Sequence, residues 1–106
     1  MHKFSYKSIK NQNDIKNVIK KIFKNKKLKV YLFGSRLTKK NSVYSDLDLA
    51  FACDQDISYE LSILREVLEE SNLVFDVDLV DLSKVSKDFR ENVLKNGKLW
   101  INLGNS

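Results

Sequence analysis

The chain has 106 residues, 42% hydrophobic and 31% charged, with a formal net charge of +5. That length predicts a single domain over residues 1–106 with one modest core, and the composition excludes collagen-like, low-complexity and strongly disordered classes. The single cysteine, Cys53, excludes an internal disulfide, and no window is apolar enough for a leader or a membrane span, so a reducing cytoplasm is the expected setting.

Charge is unevenly placed. Residues 1–40 carry 13 basic residues against one acid, Asp14, a net +12; residues 41–106 carry six against 13, a net −7. Such a run is read first as the solvated face of a helix, and second as a basic surface facing a triphosphate or nucleic acid. Aromatics are not interleaved with these lysines as base stacking would require. One histidine, His2, and one cysteine cannot build a Ser-His-Asp or Cys-His nucleophile set.

The elements follow in chain order. Ile15, Val18, Ile19, Ile22 and Phe23 recur at helical spacing and predict an amphipathic helix over residues 14–24, capped by Asn13 or Asp14. Residues 28–33 predict a strand that runs into the Gly34-Ser35 turn, with a short helical turn over 36–40. A second strand is expected over 46–52, and a second helix over about 56–71 on Ile57, Leu61, Leu64, Val67 and Leu68. A third strand is expected over 73–82, with Phe75, Val77 and Leu79 on one face and Asp76, Asp78 and Val80 on the other. Ser83 or Ser86 would cap a third helix with Phe89, Val93 and Leu94 inward and Gly97 as its stop. Leu99-Trp100-Ile101 then closes the core or supplies an interface, so a homodimer or hetero-oligomer is expected. The order α-β-β-α-β-α predicts a small α/β (α+β) fold, a mixed sheet with helices packed on it.

Asp46 and Asp48 alternate with Leu47 and Leu49, so both carboxylates point away from the core. Asp disfavours strands, and an unpartnered carboxylate against so apolar a run is costly. If the second and third strands are neighbours, Asp46, Asp48 and one of Asp76 or Asp78 form a carboxylate cluster able to share two Mg²⁺ ions. The glycine turn beside it can bring backbone N–H groups to a phosphate.

Gly34-Ser35, ten residues, Asp46-Leu47-Asp48, and later Val77-Asp78-Leu79-Val80-Asp81-Leu82, together resemble the minimal nucleotidyltransferases of the DNA polymerase β-like superfamily. The likeness runs over about residues 28–101. It implies a small nucleotidyltransferase core in which Gly34, Ser35 and Arg36 hold the triphosphate. Asp46, Asp48 and Asp78 would be the metal-binding, catalytic carboxylates, with Asp78 chosen over Asp76 by the VDLVDL match. Asp81 falls on the opposite face, at the strand end, and Ser45 precedes the first aspartate as in relatives. Where family members read GSRARG, this chain reads Gly34-Ser35-Arg36-Leu37-Thr38-Lys39; Lys39 or Lys40 would supply charge as a flexible cation rather than a planar fork.

The resemblance further implies AMP transfer from ATP, with Mg²⁺, to a hydroxyl. Larger relatives carry extra domains for the acceptor, so here a partner is expected to provide it. Similar stand-alone proteins are antitoxins that modify a tyrosine of a HEPN-domain ribonuclease toxin. Two other classes stand beside this one: an antitoxin that neutralises by binding alone, and, least favoured, a basic nucleic-acid-binding module.

Overall fold

The structure, a computed structural model, describes residues 9–33 and 47–104. Its elements are α1 (Gln12–Ile22), β1 (Leu28–Leu32), β2 (Leu47–Ala52), α2 (Ser58–Glu69), β3 (Val77–Asp81), a 3₁₀ turn (Leu82–Lys84), α3 (Lys87–Asn96) and β4 (Lys98–Leu103). The expected order is present and continues by one further strand, β4. The four strands lie in the order β3-β2-β1-β4. β1 is antiparallel to both β2 and β4, and β2 runs parallel to β3, making the sheet mixed.

Alternation along the strands divides the sheet into two faces. Leu28, Val30, Leu47, Leu49, Phe51 and Ile101 point to one side and are buried under α1 and α2. Ile15, Ile19 and Phe23 from α1 and Leu61, Leu64 and Val67 from α2 complete that core. The Phe23 and Phe51 rings meet at 5.6 Å between centroids, a favourable aromatic separation. The other face carries a smaller cluster of Ala50, Leu82 and Val93, flanked by Tyr31, Phe33 and Val80. Cys53 is half-buried against the larger core, as a small apolar residue following β2 would be.

Local chemistry corrects several boundaries. α1 starts earlier than predicted because Asn11, rather than Asn13 or Asp14, is the cap. Its side chain accepts from the Asp14 N–H at 2.9 Å, while the Asp14 carboxylate accepts from the Lys10 N–H at 3.0 Å, a reciprocal arrangement like a capping box. Asp56 starts the α2 turn by accepting from both the N–H and hydroxyl of Ser58. Those two bonds, helped by Lys84 and Lys26, hold its carboxyl below the ordinary aspartate value.

β3 is shorter than the expected 73–82. Its pairing with β2 runs from Val77 to Asp81, and the chain then tightens into the 3₁₀ turn. Asp81 caps that turn, accepting from the Ser83 N–H at 3.0 Å. With Ser83 so engaged, Ser86 caps α3, accepting from Phe89 N–H at 3.1 Å. Of the three inward residues expected on α3, Val93 is buried, but Leu94 is 45% exposed and Phe89 38% exposed. Phe89 and Val93 lie one turn apart on a narrow stripe, and Leu94 sits about 100° around the helix from it.

β4 escaped the sequence pattern because a bulge breaks its alternation. Val30 pairs with Ile101 and Tyr31 with Leu99, leaving Trp100 as the extra residue. The Lys16 ammonium lies 5.0 Å from the centre of the Trp100 ring, within cation–π range.

Gly97 ends α3 as predicted, its N–H donating to Val93 O at 2.7 Å. A Cβ there would stand 2.6 Å from Val93 O and 3.0 Å from Leu32 O, both backbone atoms. Gly97→Ala is therefore expected to lower stability by about 1–3 kcal/mol, read as a fall in the midpoint of thermal or urea unfolding. An unchanged midpoint would mean that the α3–β4 corner relaxes freely.

Candidate active site

The first described residue after the 34–46 segment is Leu47, which opens β2, and the last before it is Phe33, one residue past β1. The Phe33 N–H donates to Asp48 O at 3.2 Å, and the Leu47 N–H donates to Asp76 O at 2.9 Å. The ends of β1, β2 and β3 thus meet at one edge of the molecule. Register places Leu32 opposite Leu49, hence Phe33 opposite Asp48, and Asp48 directly opposite Asp78. Phe33, Asp48 and Asp78 form one cross-strand row on the α3 side of the sheet.

Adjacent strands lie about 4.7–4.9 Å apart, so the two carboxylates are within reach of one small cation. Asp48 is half-buried and Asp78 exposed. Two pairs further along the strands, and next on the same face, come Ala50 and Val80, where the small apolar cluster begins. The row therefore sits at the border between packed sheet and solvent. Carboxylates are hard oxygen donors of the kind Mg²⁺ takes while keeping waters and phosphate oxygens. Among the described residues no group of three or more acids, histidines or cysteines is gathered that could hold a metal. Asp48 and Asp78 make a pair; Asp46, the expected third member, lies outside the described residues.

Gly34, Ser35 and Arg36 also lie outside the described residues, as do Thr38, Lys39, Lys40, Tyr44, Ser45 and His2. Asp76 precedes β3 and is exposed; it is Asp78 that stands across from Asp48. Asp81 belongs to the strand end, as expected, through its cap on the 3₁₀ turn. Tyr31 packs in the small cluster.

The lysines of α1 do not face this row. α1 packs on the opposite side of the sheet, with Lys20, Lys21 and Lys24 exposed. Lys26 pairs with Glu60 at 3.5 Å. For Lys20 and Lys21 of α1 the solvated-helix reading holds, whereas Lys16 lies over the Trp100 ring.

Two features had no signal in the sequence. Phe33 and Phe89 meet edge to face, with centroids 5.6 Å apart and planes at 85°, fixing the N-terminal turn of α3 beside the row. Arg90 reinforces this, its Nε donating to Leu82 O at 2.9 Å. The second feature is a cavity of about 450 Å³ beside Asp78, lined by Arg65, Leu68 and Glu69 of α2 and by residues 73 and 75–79.

Comparison with known proteins agrees with this geometry. The family described as Polymerase beta, Nucleotidyltransferase matches residues 13–103, and the chain belongs to it. The probable protein adenylyltransferase MntA of Haemophilus influenzae is 42% identical over 67 residues, covering 62% of this chain and 59% of that protein. The chain thus matches somewhat over half the length of that curated relative. A chain in the crystal structure of a mutant MntA-HpeT toxin-antitoxin superposes with a TM-score of 0.59 at 27% identity, covering 87% of this chain and 72% of that one. The crystal structure of the toxin-antitoxin MntA-HepT gives 0.50 at 28% identity, covering 84% and 72%. The fold is that of MntA. No helix among the described residues is long and apolar enough to cross a membrane.

Two like charges directly opposed across strands destabilise a sheet. Asp78→Asn is expected to raise stability by about 0.2–1 kcal/mol in buffer free of divalent cations, seen as a higher melting temperature than the wild type. A lower melting temperature would show that the Asp78 carboxylate is a structural element rather than a cost borne by the fold.

Proposed function

We propose that this chain transfers AMP from ATP to a hydroxyl of a partner protein, a tyrosine of a HEPN-domain toxin, and so acts as an antitoxin. The observation that carries the reading is Asp48 directly across from Asp78, at the mouth of the 34–46 segment, in a chain of the nucleotidyltransferase family. The similarity to MntA and to chains of MntA toxin-antitoxin structures supports the partner class.

Gly34, Ser35 and Arg36 are assigned to the triphosphate. Asp46, Asp48 and Asp78 would hold Mg²⁺, two ions, and the oxygen-only donor set fits that cation. Bound there, Mg²⁺ would neutralise charge on the α-phosphate and on the leaving pyrophosphate. Asp78, exposed and outermost in the row, takes the proton from the acceptor hydroxyl. The hydroxyl oxygen forms the new bond to the α-phosphorus. The bond from that phosphorus to the bridging oxygen breaks, and its electron pair leaves with pyrophosphate. Phe33 and Phe89 keep α3 seated beside the row so that the carboxylates are held in place before substrate arrives.

The test is AMP transfer from ATP labelled on the α-phosphate, with Mg²⁺, to the HEPN-domain protein encoded beside this chain. Label on a tyrosine of that protein is expected with the wild type. It should fall about 10²–10⁴-fold with Asp78→Asn, the usual worth of a general base, and vanish on chelation of Mg²⁺. No label, with a tight complex formed by wild type and variant alike, would favour neutralisation by binding, the reading that the altered residues after Arg36 permit.

A further inference from the structure

β3 is an outermost strand, and among the described residues it pairs with β2 alone. Its backbone directions can be read from two hydrogen bonds. Asp76 O accepts from Leu47 N–H, so Asp76 and, two residues on, Asp78 direct their main-chain groups toward β2. Val77 and Leu79 then direct theirs outward. Consistently, Leu79 O accepts from Arg65 Nη2, at a long 3.5 Å, a weak contact at the limit of hydrogen bonding. The outward N–H and C=O groups of an edge strand are a template for another strand.

Side-chain alternation sets what an added strand would meet. A residue laid across from Asp78 would place its side chain on the Asp78 side of the sheet, about 4.7–4.9 Å away along the pairing direction. Its neighbours on either side would turn the other way, into the cavity of about 450 Å³ between β3 and α2. The cavity floor is apolar, with Leu68, Leu73, Phe75 and Leu79; its charged lining is one arginine, Arg65, against Glu69, Asp76 and Asp78. That balance fits a basic side chain with an aliphatic stem, which can lie on the floor and bring its charge to Glu69.

The geometry points to the free edge of β3 as the docking site for the acceptor: an extended segment of the partner protein that adds to β3, presents its hydroxyl residue across from Asp78, and seats a flanking basic residue in the cavity. The order along the row supports this approach. Phe33 lies on one side of Asp48, and Asp78 and the open edge on the other. The acceptor N–H replaces Arg65 on Leu79 O.

This inference rests on the adenylyl-transfer reading for its kinetic test, and a binding arm separates the two. Glu69→Lys reverses charge on the exposed surface of α2, and Val77→Pro removes one outward N–H from an edge strand, a position where proline is tolerated. With the HEPN-domain protein as acceptor, both variants are expected to raise its KM at least tenfold and leave the KM for ATP unchanged. Lys98→Glu, on the strand at the far edge of the sheet, should change neither. Affinity for the same protein without ATP should weaken in parallel. Acceptor KM and affinity that stay at wild-type values in Glu69→Lys and in a folded Val77→Pro would overturn the inference. Absent transfer by the wild type, with affinity still lost in these variants, would overturn the adenylyl-transfer reading and leave the docking edge standing.

Discussion

The register between β2 and β3 is the constraint on which the candidate site depends. With Leu47 opposite Val77, Leu47, Leu49 and Phe51 of β2 and Val77 and Leu79 of β3 fall on the side of α1 and α2, and Asp48 meets Asp78 on the other. Side-chain period two means that a slip of β3 by one residue would turn Asp78 toward the core and Val77 and Leu79 away from it. The core residues that specify this register are themselves fully buried: Leu47, Leu49, Phe51, Leu61, Leu64 and Val67. Truncating any one of these leucines to alanine costs about 2–5 kcal/mol, so the packing that stabilises the fold also holds two like charges face to face.

Division of labour between the two faces follows. The α1–α2 side is thick and closed, and it carries the solvated lysines on its outside. The α3 side is thin, with a cluster of three buried residues, and it leaves Asp78 exposed at the outermost strand. The charge asymmetry so prominent in the sequence is therefore resolved, for the described part of α1, into a solvated helix behind the sheet rather than a cradle for phosphate. What attracts a nucleotide is assigned instead to the 34–46 segment and the carboxylates.

The parts of this molecule legible in the sequence are those with strong periodicity. α1 and α2 declare themselves by apolar residues three and four apart, and β2 by a run with aspartates on one face. The stop at Gly97 was readable; the neighbouring of β2 and β3 entered only as a condition, and Asp78 was preferred to Asp76 on the family resemblance rather than on spacing. β4 was not, since the bulge at Trp100 destroys its alternation. Leu94 misled because α3 touches the sheet along a stripe only as wide as Phe89 and Val93. The start of α1 was missed because its cap depends on a side-chain bond from Asn11 to the Asp14 N–H, which polarity alone does not distinguish from Asn13 or Asp14. The open edge of β3 and its cavity are properties of topology, and no residue pattern announces them.

The most direct measurement is paramagnetic broadening of backbone amide signals by Mn²⁺ in the presence of ATP. The signals of Asp48 and Asp78 should broaden first, at substoichiometric Mn²⁺. Those of Cys53 and Asn102, at the opposite end of strands with a rise of about 3.3 Å per residue, should persist. Broadening centred elsewhere, at Glu69 and Glu70 or at Asp54 and Asp56, with Asp48 and Asp78 left sharp, would contradict the assignment of the carboxylate row as the metal–nucleotide site.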